Sequence, residues 1–90
     1  MVSKRTVVVN RSGLHLRPAA DLSKLASSMS SEITIVAGEK RVNPKSVLIL
    51  MSAAITKGTE IEIICEGENE AEDLERLVEA IESGLGEGTE

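Results

Sequence analysis

The sequence predicts an α+β fold, an open-faced β-sandwich in which three helices cover one face of a four-stranded, largely antiparallel sheet. Two observations predict it. Four short segments are β-branched or alternate in polarity, and three segments show helical apolar spacing or a helix start, in the order βαββαβα. The chain has 90 residues, of which 41% are hydrophobic and none is aromatic, so we expect one small domain with an aliphatic core.

The first strand and the first helix flank a polar turn. We predict a strand over residues 2–9, because this segment ends in consecutive valines and β-branching favours extended backbone. After the turn signal Ser12-Gly13, we predict a helix over residues 16–29, which the serine-rich stretch 27–31 ends. Its apolar residues recur at i, i+3, i+4 and i+7 and predict one buried stripe, formed by Leu22, Leu25, Ala26 and Met29.

The next segment predicts two strands joined by a tight turn. Ile33–Val36 is rich in β-branched residues, and residues 40–42 form a short partner strand. Gly38 marks the turn between them.

A short second helix follows, starting near Pro44. Asn43 and Ser46 are both good N-cap residues, and the sequence leaves the choice between them open. The run Val47–Met51 contains five consecutive apolar residues, which cannot all face inward on a short helix. An exposed apolar docking patch is therefore one interpretation, and a helix sunk into the core is the other.

The last third contains the clearest strand and an acidic helix. Residues 60–66 alternate, with Ile61, Ile63 and Cys65 on one side and mostly glutamates on the other, so Cys65 is predicted to be a core residue. Asn69 and Glu72 resemble a capping box for the last helix. Its buried stripe is predicted to be Leu74, Leu77, Val78 and Ile81. We expect one domain over residues 1–84 and a flexible acidic tail over 85–90.

Composition excludes several classes of function. A single cysteine and a single histidine cannot form an internal disulfide or a structural zinc site, and the absence of aromatic residues argues against binding single-stranded nucleic acid. No segment resembles a signal peptide or membrane span, so we expect no membrane insertion and a cytoplasmic location. No second nucleophile–base pair or nucleotide loop suggests an autonomous enzyme.

Charge is distributed unevenly along the chain. Residues 1–58 carry nine Lys or Arg against three acids, a net charge of +6, whereas residues 59–90 carry one Arg against twelve acids, a net charge of −11. One interpretation is a basic face that meets acidic proteins or phosphate, formed by Arg11, Arg17, Lys24 and Lys45. A mixed solvated surface with an acidic last helix is the other.

The only histidine, His15, stands at the predicted entrance of the first helix. The first amides of a helix lack intrahelical partners, and the helix dipole adds partial positive charge there, so this position favours an anion. Pro18 suits the first turn and leaves the amides of Leu16 and Arg17 free to face a ligand. Arg17 and the hydroxyl of Ser12 add phosphate donors, and an unprotonated imidazole nitrogen is a nucleophile. A nucleophile beside a phosphate site is one interpretation, and an ordinary surface or capping histidine is the other.

Two runs carry a resemblance to a known family. Gly13–Ala19 resembles the active-site signature of the histidine-containing phosphocarrier proteins (HPr) of the bacterial phosphotransferase system. Asn43–Ser52 is similar to the regulatory-serine segment of that family and lies at the family's distance from the first run. The resemblance covers the whole chain and implies the strand order 1-4-2-3 and a monomeric phosphocarrier that needs no cofactor or metal and is not an enzyme.

The resemblance implies a carrier cycle. His15 accepts a phosphoryl group at Nδ1 from enzyme I and passes it to the IIA component of a sugar permease, while Arg17, Ser12 and Leu16 hold the phosphate. Partners are expected to dock on a surface formed by Ala20, Lys24, Val47, Leu48 and Met51.

The resemblance also makes Ser46 a candidate for phosphorylation by an HPr kinase/phosphorylase, followed by binding to a catabolite regulator. A phosphate in the first helical turn is favoured, and its field beside Arg17 and the docking surface would repel an acidic partner. The chain departs from the family pattern at Leu16, Pro44 and Ile49, which bears on partner specificity. The alternative function is a regulatory HPr-like binding module that acts through Ser46 and not in sugar uptake.

Overall fold

A computed structural model describes residues 1–85 of the chain. Its elements follow the predicted order βαββαβα: β1 (Val2–Val7), α1 (Leu16–Ser27), β2 (Glu32–Ala37), β3 (Lys40–Val42), α2 (Val47–Ser52), β4 (Glu60–Glu66) and α3 (Glu70–Glu82). The four strands form one antiparallel sheet in the order β1-β4-β2-β3. The predicted fold class and strand order are therefore confirmed.

The alternation in β4 explains why one face of this strand is buried. Ile61, Ile63 and Cys65 are fully or almost fully buried, while Glu60 and Glu66 at the strand ends are exposed. α3 buries its predicted stripe, including Leu77 at 0% exposure, and α1 buries Leu22 and Ala26 of its own stripe, while Leu25 is only partly buried. The core of the described residues is aliphatic, as predicted. Residues of α1 belong to this core, so packing fixes the helix that follows His15.

Both first elements end two residues earlier than predicted. β1 ends at Val7, but Val8 remains attached to the sheet region, because its N–H donates to Thr59 O at 3.0 Å and its carbonyl accepts from Gly58 N at 2.8 Å. α1 ends at Ser27, and Met29 N then donates to Ala26 O at 3.1 Å, a tighter turn that closes many helices.

The predicted capping box at α3 is wrong. Asn69 is the N-cap residue, but its side chain makes no cap hydrogen bond and instead donates from Nδ2 to Ser30 Oγ at 3.3 Å. The backbone of Asn69 has φ −105° and ψ 25°, whereas a capping side chain requires an extended N-cap backbone. The neighbouring Glu70 accepts from Gly67 N at 3.4 Å, so a different glutamate contacts the backbone here.

The prediction of a flexible tail starting at Leu85 is wrong for that residue. Leu85 is only 8% exposed, and its N–H donates to Ala80 O at 3.1 Å, so it closes the end of α3 against the core. The rest of the predicted tail, residues 86–90, lies outside the described residues.

The buried position of Cys65 predicts an inert thiol. Burial raises its pKa to about 11, with a further contribution from the carboxylates of Asp73 and Glu70. Because only the thiolate reacts, we expect alkylation by iodoacetamide at pH 7 to be at least about a hundredfold slower in the native protein than in urea. The reaction is followed by intact mass, and equal rates in the two states would contradict a buried Cys65.

Candidate functional site

His15 lies at the N-terminus of α1 with its side chain exposed to solvent. It is the N-cap residue, its backbone is extended (φ −88°, ψ −166°), and its carbonyl accepts from Ala19 N at 2.8 Å. The imidazole makes no cap hydrogen bond to the helix. The backbone of His15 is therefore held by the helix while its ring stays available to a reaction partner.

The turn before His15 is packed against the segment that follows α2. Leu14 is 2% exposed, and its N–H donates to Ile55 O at 2.8 Å. Within the turn, Asn10 Nδ2 donates to Gly13 O, and Gly13 N donates to Asn10 O at 3.0 Å. Gly13 has φ +63°, and a Cβ there would lie 2.5 Å from Ile55 O. Only glycine allows this close backbone approach, which sets the position of His15.

The first turn of α1 offers two backbone donors next to His15. Ala19 is the first residue whose N–H bonds within the helix, and Pro18 has no N–H, so the amides of Leu16 and Arg17 lie before the intrahelical bonds begin. Leu16 is 62% exposed, and the Arg17 side chain is also exposed. Ser12 is exposed in the preceding turn. The predicted phosphate-holding residues thus all border the start of α1.

Ser46, and not Asn43, is the N-cap residue of α2. Ser46 has an extended backbone, and its hydroxyl accepts from Ile49 N at 3.3 Å. Asn43 Oδ1 accepts from Lys45 N at 2.9 Å, so its side chain shapes the turn one step earlier. The sequence left the N-cap of α2 open between Asn43 and Ser46, and the hydrogen bonds of the two side chains show that it is Ser46.

Lys45 joins this turn to the far end of α1. Its carbonyl accepts from Ser23 Oγ at 3.0 Å, and its Nζ donates to Met29 O at 3.1 Å and to Ser31 O at 2.8 Å. The ammonium group of Lys45 therefore caps two backbone carbonyls, and its predicted place on a basic face stays a prediction.

Ser46 and His15 are the N-cap residues of α2 and α1. Ser46 follows Lys45, whose carbonyl accepts from Ser23, and Ser23 lies eight positions after His15, roughly 12 Å along the axis of α1. That a phosphate on Ser46 acts on Arg17 stays a prediction.

α2 exposes an apolar patch instead of sinking fully into the core. Leu48 is 80% and Ile49 is 47% exposed, Val47 and Met51 are half-buried, and Leu50 is fully buried. The interpretation as a buried helix is therefore wrong. α2 packs on α1, whose Ala20 and Lys24 are exposed.

Sequence reasoning missed two contributors to this region. Ile49 was part of the apolar run but was not named among the docking residues, although its exposed side chain belongs to the apolar patch. The exposure of Ile49 could have been predicted from its position in an apolar run that is too long for one buried helix face. The second contributor is the backbone of Ile55 and Thr56, against which Gly13 packs. This contact could not be predicted from the sequence because it involves main-chain atoms.

Removing the cap at Ser46 tests its structural role. We expect Ser46→Ala to lower the free energy of unfolding by about 1 kcal/mol, because the amide of Ile49 loses its acceptor, while Ser46→Asp keeps the cap. Urea denaturation of both variants measures the difference. Equal losses of stability in the two would contradict the capping role.

Residues 1–85 contain no cluster of three or more His, Cys, Asp or Glu side chains that could hold a metal ion. Among the helices of this described part, none has the length and apolar character to cross a membrane.

Comparisons with known proteins find a family model and relatives that cover most of this chain. Residues 2–83 match the family model described as "PTS HPr component phosphorylation site". The phosphocarrier protein HPr of Haemophilus influenzae is 42% identical over 81 residues, which cover 90% of this chain and 95% of the relative. A crystal structure of HPr from Thermoanaerobacter tengcongensis superposes with a TM-score of 0.92 at 38% identity, covering 97% of this chain and 98% of that one.

A further solved relative is named for regulation and forms a dimer. The Bacillus subtilis catabolite repression protein Crh, solved as a swapped dimer, superposes with a TM-score of 0.74 at 37% identity. The alignment covers 93% of this chain and 97% of Crh.

Proposed function

Because this chain belongs to the HPr family of phosphocarrier proteins of the phosphotransferase system, we propose that His15 carries a phosphoryl group from enzyme I to the IIA component of a sugar permease in the cytoplasm. The exposed imidazole of His15 at the N-terminus of α1 supports this proposal most directly. Nδ1 attacks the phosphorus of the phosphohistidine of enzyme I, and the new N–P bond forms as the donor N–P bond breaks. In a second exchange a nucleophile of IIA attacks the same phosphorus, and the N–P bond at His15 breaks. The chain is a substrate in both steps and not an enzyme.

The start of α1 would stabilise the transferred group. Phosphoryl transfer depends mainly on positioning and on neutralising charge at the phosphate oxygens. The amides of Leu16 and Arg17, the Arg17 guanidinium and the Ser12 hydroxyl supply donors without enclosing the group. An exposed site with few contacts suits a carrier, because a phosphate held too tightly would not be passed on.

Arg17 is the residue whose role is easiest to test. We expect Arg17→Ala to slow phosphoryl transfer from enzyme I by about ten- to a hundredfold, because a charge-assisted donor is lost at the transferring group. Arg17→Lys should recover part of the rate, since it keeps the charge and loses the planar fork. Rapid-quench kinetics measure both variants, and wild-type rates in Arg17→Ala would contradict its role.

Partners would dock beside this site on exposed parts of α1 and α2. Ala20 and Lys24 on α1 and the apolar patch around Leu48 on α2 face solvent, with Val47 and Met51 at its half-buried border. The exposed Leu16 and Ile49 enlarge the apolar part of this surface, which would favour partners with an apolar contact region of their own.

A reconstituted relay tests the proposed function. Enzyme I, phosphoenolpyruvate, this chain, a IIA component and its sugar permease are combined, and sugar phosphate formation is measured. We expect formation only when the chain is present and His15 is intact. A known HPr serves as the positive control. If it supports formation of sugar phosphate and this chain does not, the proposal is contradicted for that partner set.

The second candidate is a regulatory module that acts through Ser46. Its support is the position of Ser46 at the head of α2, directly before the exposed Leu48 and Ile49, and the similarity to Crh. A kinase of the HPr kinase/phosphorylase type would phosphorylate Ser46, and the product would bind a catabolite regulator. Incubation with such a kinase and ATP, compared with Ser46→Ala, tests this candidate. Acceptance of phosphate at Ser46 with an inactive relay would favour it over the carrier.

A further inference from the structure

Several carboxylates of α3 line a groove that lies outside the site proposed for phosphoryl transfer. The groove has a volume of about 550 Å³ and runs between β1 and α3. Leu74 and Val78 form its apolar floor, and Glu75, Glu79 and Glu82 of α3 line it with carboxylates. Its lining includes no residue of α1 or α2.

The other side of the groove is an edge of the sheet. β1 pairs only with β4, so along its outer edge the backbone faces no other strand among residues 1–85. Thr6 Oγ1 donates to Glu82 Oε2 at 2.9 Å, which ties β1 to α3 at one end of the groove. An unpaired strand edge beside an apolar channel is the arrangement to which extended peptides add a strand.

The charges of the groove indicate what kind of segment would bind. Its lining contains three carboxylates and one ammonium group, that of Lys4, so it is net negative. In a strand added beside β1, alternate side chains would face α3. Long basic side chains could lay their methylene groups over Leu74 and Val78 and reach the carboxylates with their charged ends.

We propose that the groove between β1 and α3 binds an extended basic segment of a partner protein, added as a strand to the outer edge of β1. A second copy of this chain fits less well. Two-fold pairing of two β1 edges would bring the two carboxylate-bearing α3 helices to the same side of the joined sheet, where their like charges repel. The surface is separate from the proposed docking surface for phosphoryl transfer.

The experiment titrates the isotope-labelled whole chain with a heptapeptide of alternating lysine and threonine. We expect the amide NMR signals of β1 and α3 to shift, those of α2 to stay unchanged, and hydrogen exchange at β1 to slow. A second peptide with two threonines replaced by proline keeps the charge but cannot form the strand ladder, and we expect it not to bind.

Matched variants separate the groove from general electrostatics. We expect Glu75→Gln combined with Glu79→Gln to weaken binding by about fivefold, since two exposed ion pairs are lost. Glu72→Gln removes an exposed charge from α3 outside the groove and should leave the affinity unchanged. Equal binding of the proline peptide, unchanged affinity of the double variant, or peptide-induced shifts confined to other elements would each overturn the proposal. A dimer in sedimentation whose formation slows hydrogen exchange at β1 without peptide would also overturn it.

Discussion

His15→Ala accepts no phosphoryl group from enzyme I under conditions that fully label the wild type. This is the expected result because the chain contains a single histidine, and the proposed N–P bond has no other acceptor of its kind. The fold should survive the change, since the imidazole is exposed and makes no cap hydrogen bond to α1. Transfer of labelled phosphate on a native gel, together with thermal unfolding, measures both outcomes.

Leu16→Ala is the matched control for this experiment. It shortens the exposed neighbour of His15 but leaves the imidazole and the helix amides in place, so we expect the final extent of phosphorylation to equal that of the wild type. Labelling of His15→Ala to the wild-type level would place the phosphoryl acceptor elsewhere in the chain.

Gly13→Ala should destabilise the protein more than the same substitution at Gly38, Gly58 or Gly67. The left-handed backbone costs a side chain about 1–2 kcal/mol, and overpacking adds roughly 1–3 kcal/mol. The new Cβ would lie 2.5 Å from Ile55 O and 2.8 Å from Thr56 Cα, so the backbone itself must move. We expect a loss of about 2–5 kcal/mol in unfolding free energy, measured by urea denaturation.

Gly38→Ala provides a control with the same backbone angle. Gly38 also has φ +63°, but a Cβ there meets no atom within 4 Å. Its substitution should therefore cost only the backbone term, about 1–2 kcal/mol. Equal losses for Gly13→Ala and Gly38→Ala would show that the contact with Ile55 does not set the position of the turn.

Most of the fold could be predicted from local patterns. The alternation of Ile61, Ile63 and Cys65 predicted their burial. The apolar stripes that contain Leu22 in α1 and Leu77 in α3 predicted the buried faces of these helices. These patterns are reliable because burial of one face determines the side-chain period. The strand order came from a family resemblance, because the pairing of distant strands has no local signature in a chain of this kind.

The errors arose where tertiary contacts decide between local alternatives. The backbone of Asn69 is not extended, so its side chain bonds to Ser30 and forms no capping box. Lys45 was considered only for its charge, and its hydrogen bonds to two carbonyls after the end of α1 were not predicted. Leu85 was assigned to a tail because of its neighbours, although its own apolar side chain packs into the core.

The candidate site was predictable in its residues more than in its geometry. A single histidine before a proline-containing helix start led to the proposal that the chemistry lies there, and the structure adds that His15, Leu16 and Arg17 are exposed. The close backbone contact between Gly13 and Ile55 was not predictable, because the two residues are far apart in the sequence.

Intact mass of the whole chain after incubation with enzyme I and phosphoenolpyruvate tests the central proposal most directly. The account predicts the addition of a single phosphoryl group, its complete loss after brief acid treatment, and its absence in His15→Ala. An acid-stable addition would identify a hydroxyl acceptor such as Ser46, and no addition beside an active enzyme I control would contradict a phosphocarrier role for His15.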